Sequence, residues 1–212
     1  MSVFSLKLIA LLSMVIDHIG AVLFPDKLWL RYIGRLAFPI FCFLLTEGFR
    51  HTSDIRKYSL RLLIFSLISE VPFDLALHGK VFYPKTQNVF ITLFLGLMML
   101  YIIEWSSSLY ISVIAVVSIM YIAQMIHCDY RYPGIMMILM FYCFKDFPFL
   151  GALNISGVNF RMFESKVQAA GALALLPISL YNGKKGPSFK YLDYFVYPVH
   201  FLVLYLIKQK TG

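Results

Sequence analysis

Three observations predict an all-α, polytopic membrane bundle of eight or nine transmembrane helices. The 212-residue chain is 60% hydrophobic and only 14% charged, against roughly 45–50% and about 25% in soluble domains. Its mean hydropathy is +0.76. Its apolar residues also run in windows close to the roughly 20 residues that a spanning helix needs, rather than in the stripes of a surface helix. This composition excludes a cytosolic enzyme, a disordered chain and a disulfide scaffold. No polar stretch is long enough for a separate domain, so residues 1–212 read as one unit.

The windows predict spans over 3–24, 33–50, 57–77, 88–104, 109–127, 132–145, 167–181 and 194–208. The first contains Lys7, Asp17 and His18 and lacks a following A-x-A site, so it reads as a retained helix rather than a signal peptide. Gly34 in the second allows close approach of a neighbour, and Pro39 interrupts its backbone ladder. Asn88 reads as the cap of the fourth, and Tyr132-Pro133-Gly134 opens the sixth with Pro at a favoured position. The segment 147–160 (FPFLGALNISGVNF) is shorter and more polar, and reads as a ninth helix, a broken helix or a re-entrant piece.

The densest basic cluster, Arg50, Arg56, Lys57 and Arg61, sets this loop and the N-terminus on the cytoplasmic side. A second basic turn, with Lys184, Lys185 and Lys190, joins it there only if 147–160 crosses, which favours nine spans. The net charge of +8 forms no nucleic-acid stripe, so no nucleic-acid partner is expected. Cys42, Cys128 and Cys143 carry no metal spacing, and there is no HxxxH, HExxH, P-loop, GxGxxG or GxSxG. No metal is expected.

Ionisable groups within apolar segments mark candidate sites. Lys7 and His18 are 11 residues apart, about three turns, so they share a face roughly 16 Å apart along the axis. Asp17 faces a neighbouring helix about 100° around. Arg35 either cradles an anion or anchors its helix, and Glu47 reads as a partner of the Arg50 side. Arg56, Lys57 and Arg61 signal topology or hold phosphates. Glu70 and Asp74, at i and i+4, form an acidic patch flanking Pro72. His200 sits in an apolar run, while His51, His78 and His127 lie at helix ends and receive no role.

The pattern Lys7-x10-His18 with Asp17-His18-Ile19 resembles the TraX family of pilin acetylases and their relatives. The resemblance continues through Gly34-Arg35-Leu36-Ala37-Phe38-Pro39, the run Arg61 to Phe73, Asn88-Val89-Phe90, and Tyr132 with Gly134. It is completed by the turn Tyr181 to Gly186 and by Tyr197-Pro198-Val199-His200. More distantly, the helix-one element is similar to the acyltransferase-3 and lysosomal glucosaminide acetyltransferase group, although the RxxR of acyltransferase-3 proteins is not reproduced around Arg56–Arg61.

The resemblance implies a multi-pass cell-membrane acetyltransferase that moves an acyl group from acetyl-CoA to an amine or hydroxyl of a peptide or glycan acceptor. It implies His18 as general base or acyl carrier, assisted by Asp17. Lys7, Arg35, Arg56, Lys57 and Arg61 would bind the donor; Asn88, Tyr132, His200 and Glu70 would meet substrate; Arg35, Asn88 or His200 would stabilise the oxyanion. The competing readings are a proton-coupled solute transporter using Asp17, His18, Glu70 and Asp74, and a non-catalytic membrane scaffold. No internal repeat supports the transporter.

Overall fold

The computed structural model describes residues 1–163, 166–187 and 192–211, and among these it contains helices and no strand. The first helix, α1 (Val3–Val22), starts at Ser2, whose Oγ accepts the Ser5 N–H at 3.2 Å. That bond satisfies one of the amides a helix start leaves unpaired. Two more are taken by a distant turn: Val3 and Phe4 donate to the Lys184 and Lys185 carbonyls at 2.9 and 3.1 Å. This strap brings the second basic turn to the Lys7 end of the bundle. Lys190 lies outside the described residues.

The window 33–50 is two helices, not one. α2 (Leu28–Gly34) and α3 (Ala37–His51) meet at Arg35 and Leu36. Pro39 is the third residue of α3, where an amide has no intrahelical partner in any case, so the chain restarts its ladder there without loss. The windows 57–77, 88–104, 109–127 and 132–145 correspond within a few residues to α4 (Ile55–His78), α5 (Val89–Trp105), α6 (Leu109–Met125) and α7 (Arg131–Cys143). Asp54 caps α4, accepting the Lys57 N–H at 3.0 Å. Asn88 caps α5 as expected, its Oδ1 accepting the Phe90 N–H at 3.0 Å.

The loops before α5 and α7 are stitched together. Gln87 N–H donates to the His127 carbonyl at 3.1 Å, and Asp129 N–H to the Gln87 carbonyl at 2.8 Å. Asn88 Nδ2 donates to the Ser66 carbonyl at 2.7 Å, placing these loops against the middle of α4 rather than at its end.

The segment 147–160 is a broken helix, α8 (Pro148–Gly157) running into a π turn over Val158–Met162. The window 167–181 is corrected from one continuous span to a 3-10 stretch, Lys166–Ala174, joined to the short α9 (Leu175–Ser179). Tight packing explains the narrower helix: a Cβ on Gly171 would lie 2.3 Å from Asn159 Oδ1 and 3.2 Å from the Arg35 carbonyl. The two segments pack against each other, and Gln168 and Gly171 of the second lie beside Arg35. The last helix, α10 (Leu192–Thr211), packs along α4 and α1.

Phe38, Leu97, Ile138 and Phe201 are fully buried at the centre. The outward faces are also apolar: Leu67 and Ile68 on α4, Ile114 and Val117 on α6, and Val203 and Leu206 on α10 are all exposed. A water-facing helix would be polar there. By length and composition, Val3–Val22 and the continuous stretch Leu28–His51 can each cross a membrane.

Candidate active site

Two cavities lie along α1. The first, of about 450 Å³, opens at the strapped end between α1, α3, α4 and the turn 181–187, and its wall includes Lys7, His51, Tyr58, Arg61 and Lys185. The second, of about 460 Å³, lies towards the other end of α1 and is lined by Asp17, His18, Arg31, Arg35, Asp129 and Tyr132 among others. What separates them is aromatic. Phe90 lines the first cavity and packs against Tyr197 with centroids 4.9 Å apart; Tyr197 in turn meets the His18 ring edge-on at 6.0 Å. Tyr197 is 2% exposed, with its hydroxyl 3.5 Å from the Val89 N–H.

His18 and His200 come from opposite ends of the chain and meet at this partition. His18 Nδ1 lies 2.7 Å from His200 Nε2, with the ring planes 14° apart and their centroids 4.9 Å apart, flanked by Phe201. Beside them, Asp17 is 5% exposed and holds two guanidiniums. Arg31 Nη1 donates to its Oδ2 at 2.7 Å, and Arg35 donates through Nε to Oδ1 at 3.2 Å and through Nη2 to Oδ2. The network continues from Arg35 Nη1 to Gln168 Oε1 at 3.3 Å, and from Gln168 Nε2 to Asn159 Oδ1 at 3.1 Å. Gly34 lets α2 approach, since a Cβ there would lie 2.1 Å from Asp17 Cβ.

Of the cations expected at the acyl donor, the structure brings Lys7 and Arg61 to one cavity and places Arg35 in the other, on Asp17. Arg56 and Lys57 are exposed and line neither cavity, with Lys57 Nζ 3.1 Å from Asp54. Tyr132 lines the second cavity. Asn88 and Glu70 bond to each other, and Asp74 accepts the Tyr83 N–H at 2.6 Å, so the acidic patch is divided between two partners. Glu47 pairs with Arg50 at 3.5 Å, as expected.

Sequence reading assigned no role to Asp129, Tyr130, His78 or His127, yet all four line the second cavity. Among the described residues, the non-glycine positions with positive φ are His127, Tyr130 and Arg131, at 54°, 64° and 43°, all in its wall. Such conformations concentrate where surrounding structure enforces a site. The available signal was the cluster HCDYRY at 127–132, polar between two apolar windows.

Burial pushes the Asp129 carboxyl up to about 6, against the opposing pull of the Arg35 guanidinium. A raised carboxyl favours the protonated fold, so its contribution to stability is present below the ordinary value of 3.8 and is lost as pH rises through about 6. Thermal unfolding of the purified protein should therefore show a stability decline over that interval that Asp129→Asn flattens. An unchanged pH profile in the variant would place the titration elsewhere.

A family model described as TraX protein matches residues 2–208. A probable fimbrial assembly protein FimC, serogroup H1, of Dichelobacter nodosus is 30% identical, covering 96% of this chain and 94% of the relative. An uncharacterised protein of Rickettsia prowazekii (strain Madrid E) is 32% identical over 43% of this chain and 33% of its own. No solved structure matches.

Proposed function

The chain belongs to the TraX family, and from that membership we propose that it is a multi-pass membrane acetyltransferase with His18 as general base. The observation that carries the proposal is the position of His18, in the wall of one cavity and divided from a second, basic cavity by Tyr197 and Phe90. The membrane reading rests on the apolar outward faces of α4, α6 and α10, which have no polar side to offer water.

In this reading the basic cavity faces the cytoplasm and receives acetyl-CoA, with Lys7, Arg61 and Lys185 opposite its phosphates. The pantetheine arm passes the Phe90–Tyr197 partition, so that the thioester meets the acceptor in the second cavity beside His18. The acceptor's amine or hydroxyl attacks the thioester carbon as His18 takes the proton; the C–S bond breaks, and coenzyme A leaves as a thiolate that the histidinium reprotonates. The Arg31 and Arg35 guanidiniums, which line the same cavity as His18, would supply positive charge for the oxyanion. The fimbrial relative supports a pilin or another envelope component as acceptor.

Binding of acetyl-CoA to the purified protein tests the donor site. The double variant Lys7→Ala/Arg61→Ala should weaken it about 10²-fold or more, since charge-assisted bonds to phosphate contribute roughly 1.5–3 kcal/mol each. Undiminished binding would move the donor away from this cavity. The two opposed cavities with a buried histidine pair between them also suit a proton-coupled transporter. Solute uptake into proteoliposomes without an acyl donor would favour that second reading.

A further inference from the structure

The hydrogen bonds around the histidine pair have one solution when both rings are neutral. His200 Nδ1 lies 2.8 Å from the carbonyl oxygen of Val196, one turn earlier on α10. A carbonyl only accepts, so Nδ1 of His200 carries the ring's single N–H. Its Nε2 is then a bare lone pair, and His18 Nδ1, 2.7 Å away, must be the donor. That leaves the Nε2 of His18 without a hydrogen. His18 lines the second cavity while His200 stands behind it, packed against Tyr197 and Phe201.

We propose that His200 is a positioning residue: fixed by the Val196 carbonyl, it holds His18 in the Nδ1–H tautomer, making His18 Nε2 the proton acceptor. The logic is that of a base oriented by a third group, with an imidazole lone pair in the place often taken by a carboxylate. A backbone carbonyl sets the tautomer of one ring, and that ring sets the other. The catalytic half of the proposal rests on the acetyltransferase reading; the tautomer itself does not.

Nitrogen-15 NMR of histidine-labelled protein in detergent micelles tests the tautomer directly, with signals assigned from His18→Gln and His200→Gln. Both rings should show a protonated Nδ1 and a bare Nε2. A hydrogen on His18 Nε2, or a doubly protonated ring, would overturn the proposal. In acetyl transfer, His200→Gln, whose Oε1 can still accept from His18 Nδ1–H, should stay within about tenfold of wild type. His200→Met, which offers no such acceptor, should lose about 10²-fold in kcat with KM for acetyl-CoA unchanged. Equal activity of the two variants would mean that His200 does not act through the His18 tautomer. If His18 shows the Nδ1–H form but wild-type protein transfers no acetyl group, the acetyltransferase reading fails and the tautomer assignment stands.

Discussion

Replacing His18 with alanine lowers acetyl-CoA-dependent transfer by about 10³-fold, within the 10²–10⁴ range that a positioned general base contributes. Donor binding should survive, because Lys7 and Arg61 sit in the other cavity and Tyr197 stands between them and the His18 ring. The expected signature is therefore a collapse of kcat with little change in KM for acetyl-CoA, the pattern of an interaction made in the transition state. The measurement is transfer of a labelled acetyl group to an amine acceptor by purified wild type and His18→Ala. The variant must also retain the wild-type unfolding temperature, because His18 contacts His200 and Phe201 in the core. Wild-type transfer rates in a folded His18→Ala protein would remove the base from the proposed mechanism. A rise in KM without a fall in kcat would make His18 part of binding only.

Much of this arrangement is legible in one dimension. Apolar windows locate the helices because their charged residues are few, and Asn88 and Gly34 act where local chemistry says they should, whereas the break expected at Pro39 lies at Arg35 and Leu36. The rarity of Asp17 and His18 in an apolar helix marks the site before any contact is known. The two-cavity layout is not legible, because the residues that divide it are Phe90 and Tyr197, which resemble every other aromatic in the core. The pairing of His18 with His200 spans 182 positions, and neither flanking sequence encodes the other. Arg35 shows the limit most clearly. Its sequence position is compatible with a phosphate or an interface, and only the fold back of α2 onto α1 gives it to Asp17. The segments Val158–Met162 and Lys166–Ala174 depart from a uniform helix where buried Asn159 and Gln168 bond to each other, a packing effect between segments rather than a property of either.

Asp17→Ala should be the most destabilising single change, costing about 3–5 kcal/mol, the range for removing one partner of a buried ion pair. The carboxylate side chain is 6% exposed, and the Arg31 and Arg35 side chains it holds are 29% and 15% exposed. Removing it leaves two guanidiniums, Arg31 within α2 and Arg35 at its end, turned towards α1 with no anion to meet them. Arg31 retains some access to solvent, which sets its share at the low end; Arg35, tied to Gln168, accounts for most of the loss. If so, adding Arg35→Leu to Asp17→Ala should recover part of the stability, since the second change removes the uncompensated charge. Gly34→Ala approaches the same contact from the steric side. Its new Cβ would lie 2.1 Å from Asp17 Cβ, which cannot swing away as a side-chain tip could, so α2 must lift off α1 at about 1–3 kcal/mol. Thermal unfolding of each variant in detergent, followed by circular dichroism, measures all of these. An Asp17→Ala protein as stable as wild type would mean that the two arginines find solvent or lipid headgroups instead, and that the buried network beside His18 does not hold α1 and α2 together.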